Sequence, residues 1–349
     1  MDKIRVGVLG ATGAVGQRFV QLLDGHPWFE LAGLSGSARN IGKTYAEACR
    51  WVLSERMPEV AAELPVLESR PDAFDAPVLF SALPAAEALE IEPLFSRAGR
   101  TVCSNASAFR AEPDVPTLMP EVNPEHSALI EVQRRRRGWS GAIVTNPNCT
   151  SAGITVVLGA LSRQFKVRDA FAVSFQAISG AGYPGVASLD INENVIPFVG
   201  GEEEKVEREP RKMLGAIRGE TLEPAEIRIS AHTNRVPITD GHLVCLSVGL
   251  GAKPSLAEVE ACLEGFALPP ESLGLPSSPD PVIRFYRQED RPQPRLDRMD
   301  GRGMTTGVGR LRPDPILDFK MVVLSHNTIR GAAGGSIYNA ELVHNQGWI

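Results

Sequence analysis

Ile4-Arg5-Val6-Gly7-Val8-Leu9-Gly10-Ala11-Thr12-Gly13-Ala14-Val15-Gly16-Gln17 is the stretch that decides the fold. A short, nearly continuous apolar strand over Ile4 to Leu9 runs into glycines spaced G-x-x-G-x-x-G, and Gln17 to Leu23 has helical character. A nucleotide diphosphate needs this strand, glycine turn and helix, because backbone N–H groups and the helix dipole then face the phosphates with no Cβ in the way. Taken alone, the glycines also fit a purely structural turn. Further strand-like runs at Phe29 to Leu34, Ala76 to Leu83, Arg100 to Ser104 and Ala142 to Thr145 lack strict alternation, as strands buried on both faces of a parallel sheet do. Residues 1–148 are therefore expected to form a doubly wound α/β domain.

The texture changes at Cys149. Thr150 to Gln164 has helix spacing, and longer alternating strands follow at Ala170 to Ile178, Glu226 to Ala231, His242 to Val248, Val282 to Tyr286 and Leu317 to Leu324. Residues 149–329 thus read as a second domain with a mostly antiparallel sheet. The Pro- and Gly-rich stretch Leu268 to Pro281 reads as a surface loop within it. Arg330 to Gln346 reads as a last helix, opened by Gly331-Ala332-Ala333-Gly334-Gly335, and residues 330–349 are expected to return to complete the first domain.

Composition narrows the function classes. The 349 residues are 43% hydrophobic and 22% charged, with 36 Lys and Arg against 42 Asp and Glu. The basic residues are scattered apart from Arg134 to Arg137, so no cationic face for nucleic acid is expected. No apolar run reaches the roughly 18 residues that span a bilayer, and the N-terminus lacks signal-peptide zones, so a cytoplasmic protein without membrane attachment is expected. Five cysteines (Cys49, Cys103, Cys149, Cys245, Cys262) are odd in number and none forms C-x-x-C, so neither a disulfide framework nor a metal knuckle is supported.

An NAD site usually places an acid near the end of the second strand for the ribose hydroxyls. Leu31 to Thr44 contains none and instead offers Ser35, Ser37, Arg39 and Lys43 as donors to a 2'-phosphate, so NADP is expected. Asn146-Pro147-Asn148-Cys149-Thr150 sits where a strand ends and a helix begins. Unpaired N–H groups and the dipole there stabilise a thiolate, which makes Cys149 the one cysteine with a plausible lowered pKa. Cys245 reads as core, and Cys49, Cys103 and Cys262 read as packing residues. A nucleophilic Cys beside a nicotinamide cofactor implies attack on an aldehyde or acyl phosphate and hydride transfer at the thioester level. Such a route needs an acid/base, and His242, after the turn in Arg235 to Gly241, is the candidate. His26, His126 and His344 lie in exposed-looking contexts, and no H-x-x-x-H pair suggests a metal site.

Six segments together resemble the aspartate-semialdehyde dehydrogenases of archaea, fungi and some bacteria. They are Gly10 to Gly16, Ser104-Asn105-Ala106-Ser107-Ala108-Phe109-Arg110, Asn146 to Thr150, Ser179-Gly180-Ala181-Gly182, Gly201-Glu202-Glu203-Glu204-Lys205 and His232 to His242. The resemblance implies an N-terminal Rossmann domain, a C-terminal α+β domain carrying a homodimer or homotetramer interface, and NADP. It implies reduction of 4-phospho-L-aspartate to L-aspartate 4-semialdehyde on the route to lysine, threonine and methionine. Related acyl-phosphate or acyl-coenzyme A reductases, and an NADP-sensing regulator, are the competing readings. It assigns Cys149 as nucleophile and His242 as acid/base, Arg235 to the α-carboxylate and Glu202 to the α-ammonium, with Glu203 its alternative in the acidic run. Arg110 and Lys205 would take the phosphoryl group or inorganic phosphate, and Gln176 and Asn148 would orient the substrate. Gly10, Thr12, Gly13, Ala14, Val15, Ser81, Leu83, Ser179, Gly180 and Gly182 would lie along the cofactor. Asn327 would meet the nicotinamide amide, or else cap a helix.

Overall fold

The computed structural model describes residues 3–349. β1 (Ile4–Leu9), β2 (Phe29–Ser35), β3 (Val66–Leu67), β4 (Val78–Ser81), β5 (Thr101–Ser104) and β6 (Ala142–Thr145) form a sheet in the order β3-β2-β1-β4-β5-β6. Every neighbouring pair is parallel. β4, β5 and β6 are buried at every position, which is why their sequences do not alternate. After α1 (Ala14–Leu23), α2 (Ala85–Arg97) covers one face, its Ala88 and Phe95 clustering with Leu79, Val102 and Ile143. The opposite face carries Val6, Val8 and Phe80 against Phe19 and Val20 of α1, and against Ile337, Leu342 and Val343 from the far end of the chain.

The winding reverses at β1, which lies between β2 and β4, so a crevice opens beyond their C-terminal ends. The glycine turn occupies it. Gly10 has φ +71°, a left-handed conformation that glycine adopts freely, and a Cβ on Gly16 would fall 2.3 Å from the Gly10 carbonyl oxygen. α3 (Leu129–Arg137) leads into β6, and the basic run at its end is engaged in ion pairs, Arg137 with Glu112 and Asp114 and Arg135 with Glu220.

α4 (Cys149–Phe165) follows β6 after three residues and is buried from Thr150 to Leu161. Next come β7 (Val167–Gln176), α5 (Glu202–Met213), the hairpin β8 (Ala216–Arg218) and β9 (Thr221–Glu223), β10 (Arg228–Arg235) and β11 (His242–Leu250). α6 (Leu256–Glu264), β12 (Ile283–Tyr286), β13 (Thr306–Pro313), β14 (Phe319–Ser325) and α7 (Gly334–Asn345) complete the chain. The second sheet runs β10-β7-β11-β14-β13-β12. It is mixed: β10 with β7 and β12 with β13 are parallel, and the three central pairings are antiparallel. Its core face packs on α4, α5 and α6. The other face is uncovered in the single chain, and this corrects the reading of Cys245. Val244, Leu246 and Val248 point inward, so the alternate residue Cys245 is exposed, while Cys49, Cys103 and Cys262 are buried.

One further expectation gains detail and one changes. The stretch Leu268 to Pro281 is anchored: Leu275 joins the first sheet's apolar cluster and the Ser272 hydroxyl donates to the Pro120 carbonyl at 2.5 Å. His26 and His126 are buried, the first against Glu341 of α7 at 2.9 Å and the second between Asn123 and the Gly215 carbonyl. Among the described residues no helix is long and apolar enough to cross a membrane.

Candidate active site

The turn Asn146-Pro147-Asn148 delivers Cys149 to the first position of α4. Asn148 closes that end by accepting the N–H groups of Thr150 at 2.9 Å and Ser151 at 3.2 Å on Oδ1, as an Asn N-cap does. Cys149 Sγ then lies 3.1 Å from His242 Nε2. His242, buried at the start of β11, accepts the Ala177 N–H on Nδ1 at 3.0 Å. A ring nitrogen that accepts carries no proton, so the neutral imidazole holds its hydrogen on Nε2, directed at the sulfur.

The electrostatics run against the expected thiolate. Burial, reinforced by Glu202, pushes the Cys149 thiol up to about 12 against the pull of Arg110 and Arg235. Burial, with help from Arg235 and His326, pushes His242 down to about 3. The helix N-terminus is present as expected, desolvation opposes it, and these two shifts favour thiol and neutral imidazole in the resting pair.

Cys149 opens onto a cavity of about 490 Å³ whose lining also includes Arg110, Asn148, Gln176, Glu202, Lys205 and Arg235. Glu202 opens α5 and ties the group together. Its Oε1 accepts Lys205 Nζ at 2.9 Å, and its Oε2 accepts Asn148 Nδ2 at 2.7 Å and Gln176 Nε2 at 3.5 Å. Glu203 turns away and accepts the Thr233 N–H of β10 at 3.0 Å. Arg235 ends β10 with Nη1 donating to the Ala177 carbonyl at 2.6 Å, so residue 177 holds both the arginine and the histidine. Arg110 arrives from the loop after β5, with Nη2 on the Asn105 carbonyl at 2.6 Å and Nη1 on Glu209 at 3.3 Å.

The same cavity is lined by Val15, Ser179, Gly180, Gly182 and Asn327 and so reaches the start of α1. Gly13 caps α1 without a side-chain hydrogen bond, which leaves the first N–H groups of that helix available to a diphosphate. Gly10, Thr12 and Ala14 belong to the same turn, and Ser81 and Leu83 lie at the end of β4 beside it, Ser81 opposite Leu9. Ser37, Arg39 and Lys43 are exposed beyond β2, and the donor set suits a nucleotide with a 2'-phosphate. Ser35 differs from its expected place. It is fully buried, its hydroxyl accepting from Gly10 N–H at 3.3 Å and from Ser69 at 2.8 Å while its carbonyl accepts from Ala11 N–H, so it ties the glycine turn to β2.

Residues 5–130 match the semialdehyde dehydrogenase NAD-binding domain and residues 158–330 the semialdehyde dehydrogenase dimerisation domain. The aspartate-semialdehyde dehydrogenase of Archaeoglobus fulgidus is 51% identical over 338 residues, 97% of each chain. The chain belongs to the aspartate-semialdehyde dehydrogenase family. The enzyme of that name from Methanothermobacter thermautotrophicus is 48% identical, over 98% of this chain and 99% of the relative. A crystal structure of aspartate semialdehyde dehydrogenase with NADP from Candida albicans superposes with a TM-score of 0.91 at 40% identity, covering both chains fully.

Within this aspartate-semialdehyde dehydrogenase fold, several residues complete the site beyond those expected. Asn105, Ser107, Gly331 and Ala332 line the cavity, each inside a segment whose pattern was already notable. Gly180 lies against Arg235 and His242 as well as the cofactor side, since a Cβ there would fall 2.9 Å from Arg235 Nη1 and 3.2 Å from His242 Cε1. Asn327 does not cap a helix. Its Oδ1 accepts the Gly241 N–H at 2.8 Å and its Nδ2 donates to Ser179 at 2.7 Å, while His326 Nδ1 receives the N–H groups of Thr328 and Ile329. Glu209 was signalled only by its place seven residues after Glu202, on the same face of a helix.

Proposed function

We propose that this chain catalyses the NADP-dependent reductive dephosphorylation of 4-phospho-L-aspartate to L-aspartate 4-semialdehyde. The observation that carries the reading is the 3.1 Å contact of Cys149 Sγ with His242 Nε2 at a capped helix start, where Cys149 shares one cavity with Glu202, Arg235, Arg110 and Lys205. That charge set matches an amino-acid acyl phosphate: a planar Arg235 fork for the α-carboxylate, Glu202 for the α-ammonium, and Arg110 with Lys205 for the phosphoryl group. A carboxylate in that position has a use for a free amine and none for an acetylated one. In the substrate-free site Lys205 and Glu202 neutralise each other at 2.9 Å, so substrate replaces an internal ion pair by two external ones.

Cys149 attacks the acyl carbon, the developing oxyanion lies by the Cys149 N–H, the first-turn donor that the Asn148 cap does not use, and phosphate departs as hydrogen phosphate carrying the thiol proton, to leave a thioester. NADP, when bound in its reduced form along Gly10 to Val15, Ser81, Leu83, Ser179 to Gly182 and Asn327, with Ser37, Arg39 and Lys43 about the 2'-phosphate, supplies a hydride. His242 presents its Nε2 hydrogen to the sulfur, which eases departure of the thiolate when the aldehyde is released. Adding a second proton to the ring would set an N–H against the Ala177 N–H, so His242 serves first as a donor. Asn148 and Gln176 hold Glu202 and, through it, the substrate.

The reading also divides the chain into residues 1–148 and 149–329, with 330–349 returned to the first unit. The packing of α7 on the first sheet supports that division. A homodimer or homotetramer would cover the open face of the second sheet, where Phe171 and Cys245 are exposed. The test is reduction of NADP followed spectrophotometrically with aspartate semialdehyde and phosphate. Cys149→Ser should lose several orders of magnitude in turnover while keeping NADP affinity, and near wild-type turnover would sink the covalent route.

A further inference from the structure

α5 repeats its charge pattern. Glu202 and Lys205 face the cavity, and Glu209 and Lys212 follow seven residues later on the same face, both buried at 2% and 9% exposure. A buried carboxylate and a buried ammonium need specific partners. Lys212 Nζ donates to three backbone carbonyls, Arg110 at 2.7 Å, Glu112 at 2.8 Å and Val115 at 2.7 Å, so it staples the loop that carries Arg110. Glu209 has two partners, and both belong to the site. Its Oε2 accepts the backbone N–H of Asn148, the residue before the nucleophile, at 2.5 Å, and its Oε1 accepts Arg110 Nη1 at 3.3 Å. Arg110 spends only Nη1 and Nη2 on the protein. Its Nε is buried with no hydrogen-bond partner, and the side chain lines the catalytic cavity.

We propose that Glu209 is a positioning residue for the phosphate site: its two carboxylate oxygens lock Arg110 in register with the nucleophile turn, so that the phosphoryl group is held at a fixed place relative to Cys149. This rests on the reading of Arg110 as a phosphate ligand. The chemistry requires a carboxylate, because two donors converge on it and a glutamine amide offers one acceptor and one donor. In Glu209→Gln the amide oxygen stays with the Asn148 N–H, whose place is fixed by backbone. The NH2 group then faces Nη1, donor against donor, and the guanidinium is the part that moves.

The test is steady-state kinetics in the oxidative direction with inorganic phosphate varied, on Glu209→Gln, Arg110→Gln and the double variant. Glu209→Gln should raise the KM for phosphate about tenfold, the scale of one lost charged hydrogen bond, more than it lowers kcat, and should leave the KM for NADP unchanged. In the Arg110→Gln background it should add less than about twofold, because its effect runs through that arginine. Loss of the Glu209 charge alone would attract phosphate more strongly, so a KM that is unchanged or lower overturns the positioning role, as does an equal increase in both backgrounds. If Arg110→Gln itself leaves the KM for phosphate unaltered, the assignment of Arg110 fails instead, and the proposal falls with it. Should Glu209→Gln not fold, Glu209→Asp keeps the charge and withdraws it by one methylene, and the same rise in the KM for phosphate, cancelled in the Arg110→Gln background, is the expected result.

Discussion

Alkylation of Cys149 in the substrate-free protein tests the uncharged resting pair directly. With the thiol at about 12 against 9.0 for an ordinary cysteine, the thiolate fraction at neutral pH is lower by about a thousandfold. Each thiolate is more nucleophilic in return, by roughly 15- to 30-fold at a Brønsted slope of about 0.4–0.5, so the net rate should be about fiftyfold below that of a peptide thiol. The informative quantity is the pH dependence. Log rate against iodoacetamide should climb by about one per pH unit from 6 to 10 without a plateau, because the midpoint lies near 12. Modification is best read by mass mapping of the Cys149 peptide in a Cys245→Ser background, since Cys245 is exposed and would compete. Glu202→Gln should raise the rate at any one pH, as this carboxylate lifts the thiol. An inflection below about pH 8 would mean that the resting pair is thiolate and imidazolium, and would refute both the burial argument and the tautomer assigned through the Ala177 N–H.

Gly331→Ala would place a Cβ 2.8 Å from both Cα and Cβ of Cys149. Overpacking of this kind costs about 1–3 kcal/mol, and here the strain falls on the nucleophile, so kcat should drop at least tenfold while the dissociation constant for NADP, measured by fluorescence titration, changes little; retained kcat would show that α4 yields freely. Acid stability is a further check. His242 is lowered to about 3 in the folded protein against 6.5 when unfolded, so the unfolded chain binds the extra proton between those values, and the contribution is complete above pH 6.5 and lost as pH falls toward 3. Denaturant melts at pH 4 to 6 should therefore show a shallower pH slope in His242→Asn, by about one proton, and an unaltered slope would remove His242 as the titrating group.

Much of this architecture was legible because it follows from local rules. The parallel sheet was readable from Ile4 to Leu9 and its glycine turn, since burial on both faces erases alternation and a phosphate site demands the turn. Cys149 and His242 were readable because a cysteine at a strand-to-helix junction and a histidine after a tight turn stand out locally. What escaped was decided by neighbours distant in sequence. Ser35 looked like a free hydroxyl until Gly10, Ala11 and Ser69 closed on it, and Cys245 looked like core because alternation fixes a side but not which side has a cover. The thiol's raised pKa needed the desolvation that only the folded chain supplies, and then the Glu202 carboxylate, 53 positions away. The same holds for Glu209, whose partners Arg110 and Asn148 lie far upstream.

The return of α7 to the first sheet has a consequence for biogenesis. Val6, Val8 and Phe80 are covered in part by Ile337, Leu342 and Val343, yet β6 ends at Thr145 and α7 begins only at Gly334. At translation rates of about 5–20 residues per second, the first sheet waits roughly 10–40 s on the ribosome for the helix that closes it. During that interval a nascent chain exposes an apolar face able to recruit a chaperone, so a nucleotide-binding unit encoded first is finished last.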